Sequence, residues 1–233
     1  MRYNSIKNSE SSFAMRKTAK RRSVSKLMSK SVNVFNGEKS LDDVTFLESP
    51  LEADLCYHLE FDCNVIEYQA QPKSFEYFLD DELHSYTPDF EVFYSDGTIA
   101  YIEVKFENDI SRILDFDKWK KSITIRAKEL NKAFFVLTEE FIRQKWAYEN
   151  LITLYVSRKA SIDNSFLLHL VNELDQREQA TIGELMLGND PNGEFEQIYR
   201  LIFERKLIAD INSELLSKNT VVKHNGRGYA SYI

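Results

Sequence analysis

Two strand-like runs, Tyr86 to Tyr94 and Thr98 to Phe106, flank the turn signal Ser95-Asp96-Gly97. Aspartate and glycine at such a point reverse the chain cheaply, because glycine takes positive φ without a Cβ clash and aspartate bonds its own backbone. A reversal centred near Asp96 fixes the register, with opposed positions summing to 192. Asp89 then faces Glu103, and opposed cross-strand side chains share one face of the sheet. Alternation returns Lys105 to that face and turns Val104 inward. Like charges in opposition destabilise a sheet, so a pair of this kind calls for a compensating cation. Carboxylate oxygens suit Mg²⁺ or Mn²⁺, and a neighbouring lysine can orient a water.

The chain has 233 residues, enough for a large domain with a smaller companion. No apolar run approaches the ~18 residues that a membrane span needs, and no signal peptide is evident. Cys56 and Cys63 are too few for a disulfide framework and read as reduced core residues of a cytoplasmic protein. The net charge of −7 is unevenly spread. Residues 1–40 hold ten Lys/Arg against Glu10 and Glu38, a net of +8, which leaves 20 Lys/Arg and 35 Asp/Glu, a net of −15, in the remainder. An acidic body would meet nucleic acid through a basic arm. Lys17, Lys20, Arg21 and Arg22 concentrate that charge and are the candidate phosphate contacts.

Residues 1–45 read as this arm, with one short strand around Val32 to Phe35. Ser49, Pro50 and Glu52 obey helix-start chemistry and open a helix over 50–61, with Leu51, Leu55 and Leu59 as its apolar stripe. Strands are predicted at 65–71, 74–79, 86–94 and 98–106. A long helix over 111–130 follows, carrying Ile113, Phe116, Lys120, Ile123 and Ala127 near one face, then a strand at 133–137, a helix over 139–149 and a strand at 151–156. The order implies an α/β domain over 46–158, a mixed sheet flanked by helices. A composition shift at 158–164 sets off residues 159–233. There, a helix over 166–174, a Thr181/Glu184 capping box, a helix over 194–206 and strand material over 207–222, ending at Gly226-Arg227-Gly228, give a winged-helix-like order. From residue 160 onward seven Lys/Arg meet eleven Asp/Glu, which favours a protein-binding or structural role over major-groove reading.

The phrase Thr87-Pro88-Asp89-Phe90, followed by Glu103-Val104-Lys105, has the form PD…ExK and resembles the restriction-endonuclease-like nuclease superfamily. Gln69 and Gln71, alternating before Pro72, are candidate phosphate or water contacts. With the basic arm, Ser49-Pro50-Leu51-Glu52, Gln71-Pro72 and the winged-helix-like end, the ordered set resembles one branch of that superfamily, the TnsA endonuclease subunits of heteromeric cut-and-paste transposases. The resemblance implies catalytic roles for Glu52, Asp89, Glu103 and Lys105, with Asp89, Glu103 and Glu52 holding Mg²⁺, for which Mn²⁺ substitutes. At the Glu103 position that family can carry glutamine. The resemblance also implies double-stranded DNA at transposon ends as substrate, cleavage of the 5′ strands, and two partners. These are the transposase TnsB and the ATPase TnsC, the latter docking on the C-terminal domain. A stand-alone nuclease of the same fold and a non-catalytic assembly adaptor are the alternatives; filled acidic and basic positions weigh against the second.

Overall fold

The computed structural model describes residues 33–188 and 191–226. Its centre is a four-stranded mixed sheet in the order β3 (Val65–Ala70), β6 (Phe90–Tyr94), β7 (Ile99–Val104), β8 (Ala133–Leu137). The first two pairings are antiparallel and β7–β8 is parallel. At the β6–β7 turn Gly97 adopts φ 86°, its N–H donates to Tyr94 O at 3.0 Å, and the Asp96 side chain accepts from Thr98 N at 2.8 Å. Pairs such as Phe90 with Ile102 and Val92 with Ala100 carry the register read from the turn.

Helices and hairpins cover both faces. One face carries Phe90, Val92, Ile102 and Val104 against α1 (Pro50–Phe61), whose Leu51, Leu55 and Leu59 are buried as the stripe requires. Ser49 Oγ accepts from Glu52 N at 3.1 Å to cap this helix. The opposite face packs Tyr101 and Phe134 against the hairpin β4 (Phe75–Leu79)/β5 (Glu82–Tyr86) and against Ile123 and Ala127. Those last two residues lie on α3 (Phe116–Glu129).

Several elements depart from the sequence reading. The run 86–94 is two strands, since Thr87-Pro88-Asp89 interrupts it; Pro88 has no N–H for a ladder, and Tyr86 belongs to the β4–β5 hairpin. The helix predicted over 111–130 is a short α2 (Glu107–Ile110) followed by α3, separated by a segment ending at Asp115, whose φ of 53° breaks the helical path. Of the face expected on it, only Ile123 and Ala127 are buried. The helix over 139–149 is likewise two, α4 (Glu139–Ile142) and α5 (Lys145–Ser157), and α5 absorbs the strand predicted at 151–156. Its buried positions Ala147, Leu151, Leu154 and Tyr155 recur at helical spacing. Cys56 is buried but Cys63 is exposed, not a core residue.

The body begins earlier than residue 46. A hairpin, β1 (Asn33–Phe35) with β2 (Thr45–Leu47), packs Phe35 and Leu47 onto α1. Between its strands, the buried Glu60 carboxylate accepts from Glu38 N, Lys39 N and Tyr68 OH at 3.0–3.1 Å. The Lys39 ammonium donates to Leu59 O and Asp62 O at the end of α1.

C-terminal to α5 come α6 (Asn164–Arg177), β9 (Gln179–Thr181), α7 (Ile182–Leu185), α8 (Pro191–Phe203), β10 (Leu207–Ala209) and β11 (Val221–His224). The three strands form an antiparallel sheet in the order β10, β11, β9. The Thr181/Glu184 capping box is present in both directions. Leu151, Leu154 and Phe61 join Phe166, Leu170, Ile198 and Leu201 in one apolar cluster, so this portion shares its core with α5 and α1. Among the described residues no helix is long and apolar enough to cross a membrane.

Candidate active site

The carboxyl end of β7 gathers most of the candidate residues. Extending the ladder by one pair sets Asp89, just before β6, opposite Glu103. On Asp89's other side the backbone stays paired, as Gln71 N donates to Asp89 O at 2.7 Å. Asp89 Oδ2 accepts from Val104 N at 2.7 Å, which aims its carboxylate at the strand end. Val104 turns into the α1 core, while Lys105 folds back so that its Nζ lies 2.5 Å from Glu103 Oε1. The register, the inward Val104 and the lysine beside the glutamate all follow from strand alternation.

Glu52 reaches the site from the first turn of α1. It is buried, and its Oε2 accepts from Glu48 N at 3.0 Å, so it caps its own helix as well as facing the other acids. Burial raises the Glu52 carboxyl above its ordinary pKa; the Glu48 N–H and Ser49 bonds oppose the rise, and Glu48 and Glu103 add to it. Asp89 is pushed well above the carboxylate range by burial, then by the charges of Glu103 and Glu52, against the pull of the Val104 N–H and Lys105. Burial disfavours the Lys105 ammonium, but the charge and hydrogen bond of Glu103, with Asp89 and Glu52 behind it, outweigh that and raise its pKa. One lysine therefore faces three mutually repelling carboxylates.

The strand end is fixed from outside. Lys105 N donates to Leu137 O at 3.1 Å, and Glu107 N donates to the Glu139 side chain at 2.9 Å. The Arg143 guanidinium lies 5.6 Å from the Phe106 ring centroid and its Nε donates to Asp54 at 2.7 Å, tying this loop to α1.

Gln69 and Gln71 do not share a face by strand alternation. Gln69 pairs with Glu91 inside the ladder, whereas β3 ends at Ala70 and Gln71 takes φ 46°. Lys17, Lys20, Arg21 and Arg22 lie outside the described residues. Tyr86 escaped the sequence reading as a site residue, yet its hydroxyl donates to Glu103 Oε2. Nothing in the spacing from 86 to 103 signals that contact, because it depends on the β4–β5 hairpin folding over the sheet.

Among the described residues no three His, Cys, Asp or Glu side chains form a ready metal cage. Glu103 has both oxygens engaged, by Tyr86 and Lys105, and Asp89 and Glu52 each have one engaged by a backbone N–H. In donor chemistry the set still fits a hard divalent cation, since every candidate is a carboxylate and the cluster has more negative charge than its lysine neutralises.

A mixed sheet flanked by helices, with an acid before one central strand and Glu-x-Lys at the end of the next, is consistent with a restriction-endonuclease-like fold. Residues 62–150 match the family model described as TnsA-like endonuclease N terminal. This supports a TnsA-type member of that superfamily with a nuclease role in transposition. The matched stretch contains Asp89, Glu103 and Lys105 and leaves out Glu52 and everything beyond residue 150. No curated protein matches the chain.

Proposed function

We propose that this protein is a Mg²⁺-dependent DNA endonuclease that hydrolyses the 5′, non-transferred strands at transposon ends, within a complex with the transposase TnsB and the ATPase TnsC. The observation that carries the reading is the placement of Asp89 opposite Glu103 with Lys105 ion-paired to Glu103 at one strand end. Asp89 and Glu103, with Glu52 beside them, would hold Mg²⁺ or Mn²⁺. When bound, such an ion supplies Lewis acidity to a phosphate oxygen and eases deprotonation of water. Lys105, held protonated by its carboxylate neighbours, orients the attacking water and offsets charge developing on the phosphoryl oxygens. The Val104 N–H keeps Asp89 aimed while these groups act. Gln71, at the Asp89 backbone, and Gln69, on β3, are the proposed phosphate or water contacts.

The C-terminal portion, read as winged-helix-like, is assigned to docking TnsC rather than to base reading. Two of its arginines are already engaged within the protein. Arg200 is bonded to Glu204 at 2.6 Å and to Ala160 O at 2.7 Å, and Arg205 lies 3.7 Å over the Phe61 ring. DNA contact falls instead to the arm, through Lys17, Lys20, Arg21 and Arg22.

The test is a strand-resolved cleavage assay on transposon-end DNA with Mg²⁺, TnsB and TnsC. The protein should cut the 5′ strands, Asp89→Ala should abolish that cutting, and joint replacement of the four arm residues by alanine should flatten the salt dependence of DNA binding. Undiminished cutting by Asp89→Ala rejects the assignment.

A further inference from the structure

Tyr86 stands where the aromatic packing of one sheet face meets the acidic cluster. Its ring packs edge-on against Phe75, Trp119 and Phe134 at centroid separations of 5.4, 5.7 and 6.2 Å. Those three rings come from β4, α3 and β8, so three elements fix its direction. Two torsions orient a tyrosine, and a ring wedged this way leaves its hydroxyl little freedom. That hydroxyl donates to Glu103 Oε2, while Lys105 Nζ holds Glu103 Oε1. Glu103 itself is buried. Its carboxylate is therefore gripped at both oxygens, by a ring-wedged neutral donor on one side and the ammonium of a longer, unbranched side chain on the other.

These two donors are not equivalent. The lysine tail can swing away and leave Oε1 to a competing cation, whereas the phenol cannot move without unpacking its neighbours. We propose that Tyr86 is a positioning residue for the nuclease site, holding Glu103 Oε2 so that Oε1 is presented toward Asp89 and a divalent cation. This rests on the reading of Glu103 as a metal ligand. Hydrogen bonds to ligating carboxylates fix ligand direction, and their loss commonly weakens metal affinity about 10–100-fold. Tyr86→Phe removes one oxygen and keeps the ring, so the aromatic packing survives the test.

The experiment is a titration of the full-length protein with Mn²⁺, following free ion by its paramagnetic resonance signal, alongside thermal melts. Four variants are compared: Tyr86→Phe, Glu103→Gln, the double variant, and Asp89→Ala. Tyr86→Phe should weaken Mn²⁺ binding about tenfold while still unfolding in one cooperative transition. Glu103→Gln should weaken binding further, and the double variant should match Glu103→Gln, because the hydroxyl acts only through that carboxylate. Parent-like or tighter binding by Tyr86→Phe, or an additive loss in the double variant, overturns the positioning role. If Glu103→Gln and Asp89→Ala also bind Mn²⁺ as the parent does, the metal site itself is wrong; if they lose it while Tyr86→Phe does not, only this inference fails.

Discussion

Asp89→Asn should make the metal-free protein more stable while it disables the site. The substitution keeps the shape and the hydrogen bond from Val104, because an amide oxygen can accept from Val104 N as Asp89 Oδ2 does at 2.7 Å. It removes one charge from three neighbouring acids that a single lysine faces. An imperfectly compensated buried polar or charged group costs about 1–3 kcal/mol, and for a chain this long each kcal/mol moves the melting temperature about 2–4 °C. In EDTA at pH 8 the variant should therefore melt at least about 2 °C above the parent. The pH dependence follows from the raised Asp89 pKa. A folded carboxyl above its unfolded value binds a proton more readily than the unfolded chain does, so the parent gains stability as pH falls through the folded pKa toward the ordinary carboxylate range. The stability advantage of the Asp89→Asn variant should shrink from pH 8 toward pH 5. Saturating Mg²⁺ should reverse the order, because a ligand at a hundredfold its Kd adds about 2.7 kcal/mol to the form that binds it. Calorimetric melts from pH 5 to 8, with and without Mg²⁺, check each step. A variant that melts below the parent at pH 8 in EDTA, or a difference that does not vary with pH, refutes the account of a charge-strained site.

Two further substitutions test the frame. Gly37→Ala would put a carbon 2.1 Å from Tyr68 OH and 2.5 Å from Glu60 Oε1, in the buried network that pins the β1–β2 hairpin to α1; a loss of about 1–3 kcal/mol is expected from urea unfolding. Leu154→Ala, at a fully buried position of α5 shared between the sheet-covering helix and the C-terminal cluster, should cost about 2–5 kcal/mol. Its unfolding should stay a single transition because α5 belongs to both halves, and separate melting of the two would contradict the shared core.

What the sequence made legible was local chemistry with a fixed geometric consequence. The Asp96-Gly97 turn determines every pair of the β6–β7 ladder, and Ser49 and Thr181 each cap the helix that follows. What it hid depended on burial from a distance. The run 151–156 is apolar enough for a strand, and only the C-terminal cluster packing on Leu151 and Leu154 shows that helical spacing governs it. Asp115 looks helix-compatible until the chain must turn to set Trp119 over Tyr86. The strand from 45 to 47 is three residues long and owes its existence to α1 beneath it. The same division runs through the site. Asp89, Glu103 and Lys105 are brought together by one turn and are visible as a motif. Tyr86 reaches Glu103 only because a second hairpin folds across the sheet, and Arg143 holds Phe106 only because α4 ends beside α1. Charged groups at a strand end need such outside restraint, since their mutual repulsion would otherwise splay them. The residues that hold a site of this kind in shape are thus the ones least visible in its motif, and a change at Tyr86 or Arg143 should affect metal binding with the signature residues intact.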